Sequence, residues 1–292
     1  MRTVPIQLVF RLALVLFATS AACHVHGKEA NKKSAVTPKG DVIKLFNGKD
    51  LTGLYTWLAD TKYEDPRGVF SVKDGQLHIT GDGWGSITTK ASYRDYHLVC
   101  EFKWGERTWP GRAGRTRDSG VLFHCHGPDG GYHGIWMASI ESQIIEGGVG
   151  DILVVPGTNP DGTRVGPQSL VVEVTNGPNG GWFWKKGGRR ETTSGGLIQW
   201  YGHDPDWKDV TGFRGKNDVE SPFGQWTRMD VICDGGHVVI KVNGTVVNEG
   251  FEAQPSEGKI LFQTEQAEIF VRRWELWPLG KAPPMEGADD DS

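Results

Sequence analysis

Glu141-Ser-Gln143-Ile-Ile-Glu146 places two carboxylates and an amide within six residues of an otherwise apolar run. On a regular strand, Glu141 and Gln143 point to the same face. Glu146 points to the other, unless a bulge after Gln143 resets the alternation. With the bulge, both carboxylates line one groove with the amide between them. Two carboxyl groups on a concave sheet suit acid/base work on a sugar, provided their surroundings split their pKa values. The plain alternative is an edge strand carrying solvated glutamates.

A second run, Asp118-Ser-Gly-Val-Leu-Phe-His124-Cys-His126, alternates in the same way. It predicts Asp118, Leu122, His124 and His126 on one face and Val121, Phe123 and Cys125 toward the core. Two imidazoles at i and i+2 can supply a general base or contact substrate. With His133 from the next loop they would form a metal site, but without a clear third ligand that reading is the weaker one. Arg107, Arg112, Arg115 and Arg117 form a cationic loop that can clamp a carboxylate, pair with nearby acids or stay solvated. Gln263 and Glu265 share a face of a later strand. Trp84, Trp104, Trp109 and Trp136 are candidates for stacking on sugar rings. The chain has no P-loop, dinucleotide fingerprint, nucleophile elbow or HExxH.

The elements that must position these groups are short strands. Val69–Val72 and Gln76–Thr80 flank Asp74-Gly75, and Asn243-Gly244 joins His237–Val242 to Thr245–Asn248; both are hairpin signals. Tyr96–Trp104, Gly120–His126, Ser139–Ile145, Leu170–Val174, Trp226–Cys233, Gly258–Gln263 and Glu268–Leu276 complete the set. The stretch 176–195 reads as a loop or exposed hairpin. So many antiparallel strands predict an all-β jelly-roll sandwich of two sheets. Composition agrees: 41 glycines in 292 residues suit turns rather than a helical bundle. Lys+Arg 32 against Asp+Glu 36 leaves net charge -4, with no basic excess for nucleic acid.

Residues 1–22 read as an export signal, with Arg2 and Arg11 ahead of the apolar Leu12–Ala18 run and Ser20-Ala-Ala before Cys23. Cleavage there would expose Cys23 for a lipid anchor, although Ser20 stands where Leu is usual. The expected protein is thus exported, to the periplasm, the outer membrane or the medium. No transmembrane span is expected, the apolar run being too short to cross a bilayer. Residues 23–41 read as a linker, 42–280 as one domain and 281–292 as an acidic tail. Cys100, Cys125 and Cys233 read as buried free thiols.

Several motifs, in order, resemble one family. Leu45-Phe-Asn-Gly-Lys-Asp-Leu-Thr-Gly53, Asp118-Ser-Gly-Val-Leu-Phe123, Glu141-Ser-Gln-Ile-Ile-Glu146, Gly224-Gln-Trp-Thr-Arg228, Val242-Asn-Gly244, Gly258–Glu265 and Phe270-Val-Arg272 are similar to the 3-keto-disaccharide (3-keto-glycoside) hydrolase domain. Glu146 stands where that family has Asp. The resemblance covers about residues 42–280. It implies a concanavalin A-like jelly roll and an exported enzyme of carbohydrate breakdown acting on 3-keto-glycosides. A C3 ketone acidifies the C2 hydrogen, so a base can remove it and the C1 substituent can leave; water can then add back. That needs a base, an acid and a polarising donor or divalent metal ion at the ketone. The candidates are His124 or Glu141 as base and Glu146 as acid. Gln143, His126, Asp118, Arg117, Trp136, Gln263 and Glu265 are the substrate-binding candidates. The segments 104–117 and 176–218 are longer than a minimal member requires. A laminarinase-like glucanase, with Gln143 replacing the central Asp of E-x-D-x-x-E, and a non-catalytic glycan-binding module are the alternatives.

Overall fold

Asp74 and Gly75 both take positive φ (52° and 73°), as do Asn243 and Gly244 (46° and 83°). That is the backbone a two-residue hairpin needs, and Gly and Asn are the residues that reach it cheaply. The computed structural model describes residues 34–178 and 180–285; the export signal, Cys23 and residues 286–292 of the acidic tail lie outside the described residues. Among the described residues the strands are β1 (Ile43–Lys44), β2 (Leu54–Leu58), β3 (Phe70–Lys73), β4 (Gln76–Ile79), β5 (Trp84–Thr89), β6 (Tyr96–Thr108), β7 (Asp118–His126), β8 (Ala138–Ile145), β9 (Ile152–Val155), β10 (Ser169–Asn176), β11 (Trp182–Trp184), β12 (Arg189–Thr193), β13 (Gly196–Gln199), β14 (Thr227–Asp234), β15 (His237–Val242), β16 (Thr245–Gln254), β17 (Lys259–Glu265) and β18 (Ala267–Trp277). A 3₁₀ turn spans Pro110–Arg112.

The pairings make two layers. One runs β2–β5–β17–β7–β8–β9–β13. The other runs β3–β4–β18–β6–β14–β15–β16–β10, with β1 on β18 and β12 on β10. β11 pairs with β10 and, in parallel, with β13, and so joins the layers at one edge. The all-β jelly-roll sandwich is therefore the fold. Phe123, Ile140, Ile144 and Phe262 from the first layer and Leu98, Phe102, Met229, Val231 and Trp274 from the second are buried together as the core. The strands alternate as a half-buried sheet requires. On the outer face of the first layer, Leu122, Trp136, Val155 and Leu261 form a smaller apolar cluster.

Residues 176–195, expected as a loop or hairpin, form β11 and β12. Within the expected linker, Val36 bridges to Tyr93. Cys100, Cys125 and Cys233 are buried and unpaired. Among the described residues no helix is long and apolar enough to cross a membrane.

Candidate active site

The register of the first layer builds a polar row across its outer face. Ser86 lies opposite Gln263, Gly120 opposite Gln143, and Phe262 opposite Val121, which puts Gln263 beside Gly120. Glu141 lies one step along, opposite Leu122 and Leu153. Above the row is a groove of about 490 Å³, lined by Glu141, Gln143, Gln263 and Glu265 on its floor and by Tyr132, Trp136, Leu153 and Leu197 on its flanks.

Gly120 makes this floor possible. A Cβ there would collide with Oε1 of Glu141 and Oε1 of Gln263. The missing side chain is the space in which that carboxyl and amide meet. No local sequence pattern marks Gly120, because its part depends on neighbours from two other strands.

Two of the buried carboxyl groups, Asp118 and Glu265, share one cation. Arg112, on the 3₁₀ turn, donates through Nη2 to Oδ2 of Asp118 and, at 2.7 Å, to Oε1 of Glu265. Gln143 Nε2 donates to the other oxygen of Asp118 at 3.0 Å. Burial and the neighbouring Asp118 charge push the Glu141 carboxyl well above the usual range, with only a hydrogen bond from Gln263 opposing them. Burial and Asp118 also raise Glu265, against the pull of Arg112. Asp118 itself is pushed up to about 6, burial outweighing Arg112. Among the described residues no cation pairs with Glu141. Its environment therefore differs in kind from that of Glu265.

Several expected placements need correction. Glu146 does not join Glu141 in the groove. β8 ends at Ile145 and the chain turns, so the Glu146 carboxylate accepts from Arg117 Nη1 at 2.7 Å, from the Arg117 backbone N–H at 2.9 Å and from Gly212 N–H at 2.8 Å. Arg117 is consumed in that pair and stacks over Phe223, so Arg112 is the arginine that reaches the groove carboxyls. The E-x-x-x-x-E arrangement of a laminarinase-like site is thus not built. His124 takes φ 52° at a register shift between Phe123 and His126, which sends its ring into the core against Tyr96 and Phe123. Burial pushes it down to about 4, so it is neutral there. Cys125 moves to the outer-face cluster in exchange. His126 Nδ1 donates to the His124 carbonyl at 3.0 Å, at the end of β7. Asp118 is placed as a partner of Arg112 and Gln143 rather than as groove lining.

Trp136, Gln143, Gln263 and Glu265 do line the groove. Trp136 is held by Nε1–H to the Gly85 carbonyl at 3.0 Å and lies nearly parallel to Tyr132. Trp84 meets Trp136 edge-on. Trp104 faces a different cavity and Trp109 is tied to the Thr80 carbonyl, so neither flanks this groove.

His124 in the core and exposed His133 leave the expected imidazole ligand set unassembled. Among the described residues no group of three His, Cys, Asp or Glu side chains is arranged to hold a metal ion. Arg112 already fills the space between Asp118 and Glu265. The described residues here do not fit a metal centre.

The Glu146–Arg117 pair makes a clear prediction. Glu146→Ala leaves the buried Arg117 guanidinium without its carboxylate, with only the Gly105 carbonyl at 3.1 Å still accepting from it, and should destabilise the fold by about 3–5 kcal/mol. The folded fraction should keep its activity. Urea unfolding alongside turnover per folded molecule checks this, and a loss of turnover in fully folded protein would return Glu146 to the chemistry.

Groove, aromatic flank and two buried carboxyls on an all-β sandwich suit a carbohydrate-active protein. More specifically, the chain belongs to the family of the 3-keto-alpha-glucoside-1,2-lyase-like domain, which matches residues 41–276. Among solved structures, the chain is similar to a protein assigned as a glycosyl hydrolase from Parabacteroides distasonis, at 19% identity over 82% of this chain and 94% of that one, with TM-score 0.45. It is also similar to a carbohydrate binding module from Bacillus subtilis (11% identity, 77% and 95% covered, TM-score 0.40). A third is the β-glucanase of Bacillus licheniformis (12% identity, 82% and 98% covered, TM-score 0.39). No curated protein matches the chain.

Proposed function

We propose that the protein cleaves 3-keto-glycosides by elimination across C1–C2, with water adding back afterwards. The observation that carries this reading is the unequal pair of buried groove carboxyls, Glu265 beside a cation and Glu141 beside none. Groups whose surroundings differ in this way divide into acid and base. Glu265, next to Arg112, ionises first as pH rises and removes the C2 proton, which the C3 ketone has acidified. The electron pair forms the C1=C2 bond as the C1–O bond breaks. Glu141, still protonated, gives its proton to the departing oxygen. The products are an unsaturated 3-keto sugar and the free alcohol. Addition of water, hydroxyl to C1 and proton to C2, gives the 3-keto sugar. Gln143 and Gln263 hold the sugar over Gly120, and Trp136 supplies an apolar face for the ring. The family's 1,2-lyase-like description agrees with elimination. Export, from the N-terminal signal pattern, would place this activity outside the cytoplasm.

The pH profile tests the division of roles. The reactive form carries Glu265 ionised and Glu141 protonated, so kcat/KM should be bell-shaped. Both raised carboxyls place its limbs above the ordinary carboxylate range. Activity on a 3-keto-glucoside should therefore still be rising above the pH range in which ordinary carboxylates titrate, and should fall again at higher pH. A rising limb centred near 4, where ordinary carboxylates titrate, would contradict it.

A further inference from the structure

The polar row does not stop at Gln143. Its backbone N–H donates to the Asp151 carbonyl at 2.9 Å, and the pairing of Ile198 with Ile152 places Gln199 opposite Asp151. Phe183 of β11 lies opposite Gln199 in turn. Leu197 lines the groove, and Gln199, two residues further along β13, points to the same face roughly 7 Å away. At that point a second cavity of about 210 Å³ opens, lined by Phe183, Gln199, His203, Asp204 and Trp207.

This cavity is built. Phe183 is seated on Gly177, where any Cβ would strike its ring. Trp207 is fixed by Nε1–H to the Glu146 carbonyl at 2.9 Å. His203 Nδ1 faces buried Asp151 at 3.0 Å, and Asp151 also accepts from Trp200 N–H at 2.7 Å. That fixes the imidazole and leaves Nε2 for another partner. Gln199 makes no side-chain hydrogen bond among the described residues. Two half-buried aromatic rings beside an amide, an imidazole and a carboxylate match a pyranose. Its C–H face packs on rings, and its hydroxyls both donate and accept.

We propose that this cavity is a second sugar subsite, which holds the leaving-group ring of a disaccharide while the 3-keto ring lies over Glu141 and Glu265. The assignment of the two rings rests on the function proposed above. The subsite comes from segment 176–218, so it is a specificity element of this chain.

The test uses the full chain, with Phe183→Ala and Gln199→Ala as independent variants. Neither residue belongs to the catalytic floor, and melting curves confirm folding. Calorimetric titration with unoxidised maltose and methyl α-glucoside reads binding without turnover. Wild type should prefer maltose about tenfold, and each variant should lose that preference. With the 3-keto forms of both sugars, each variant should raise KM for the disaccharide about tenfold, with kcat and the methyl glycoside unchanged. Equal response of both sugars, or of neither, overturns the subsite. If wild type turns over no 3-keto-glycoside yet prefers maltose through Phe183 and Gln199, the subsite stands and the proposed reaction falls.

Discussion

Glu141→Gln should lower kcat on a 3-keto-glucoside by about 10²–10⁴-fold, the range a positioned acid or base supplies. It should leave the fold intact. Glu141 is buried, and its carboxyl is pushed toward the neutral form. Glutamine has nearly the same shape and is also neutral, so packing above Gly120 is preserved. Gln263 keeps a hydrogen-bonding neighbour. The loss is therefore confined to the proton that only the carboxyl can give. KM should change little, because the amide still contacts the sugar. A variant with wild-type kcat would remove Glu141 from the chemistry. One with collapsed stability would make it a structural residue instead.

Arg112→Met should destabilise the fold by about 3–5 kcal/mol at neutral pH. Arg112 is the shared cation of Asp118 and Glu265, all three buried. Methionine fills much of the volume but leaves the two acids facing each other in a dry site. The effect should depend on pH with a definite sign. Asp118 is already pushed up to about 6 in the folded protein, above its unfolded value near 3.9. A raised group favours the native state below the unfolded pKa, and that contribution is lost as pH rises through the folded one. Removing the cation raises both acids further. The penalty should be smaller at pH 5, where they hold protons, than at pH 8, where one must ionise. Urea midpoints at the two pH values report this directly. An equal penalty at both would mean that Arg112 acts through packing alone. Activity should fall as well, because Glu265 would no longer ionise before Glu141.

Much of this architecture was legible in the chain. The Asp74-Gly75 and Asn243-Gly244 hairpins follow from local backbone chemistry, and period-two alternation located β6, β7, β8 and β14. Period two puts Glu141 and Gln143 on one face, and both line the groove from an unbroken stretch of register. Glu265 and Gln263 followed from i, i+2 spacing. What was not legible depends on one-residue irregularities and distant loops. A single positive-φ residue at His124 exchanged the faces of His124 and Cys125. Turning the chain after Ile145 removed Glu146 from the floor. Among four arginines in one loop, only the 3₁₀ turn at Pro110–Arg112 decided which one meets the acids. The importance of Gly120 and of His203 arises from pairings with β8, β9 and β17 that no local pattern encodes.

Loss of the C2 hydrogen is the step on which the whole reading turns. It is followed most directly by incubating the protein in D₂O with a 3-keto-glucoside and, in parallel, with the unoxidised glucoside. The prediction is aglycone release from the 3-keto compound alone, with deuterium at C2 of the recovered 3-keto sugar. Release with the original C2 hydrogen retained, or cleavage of the unoxidised glucoside, would contradict it.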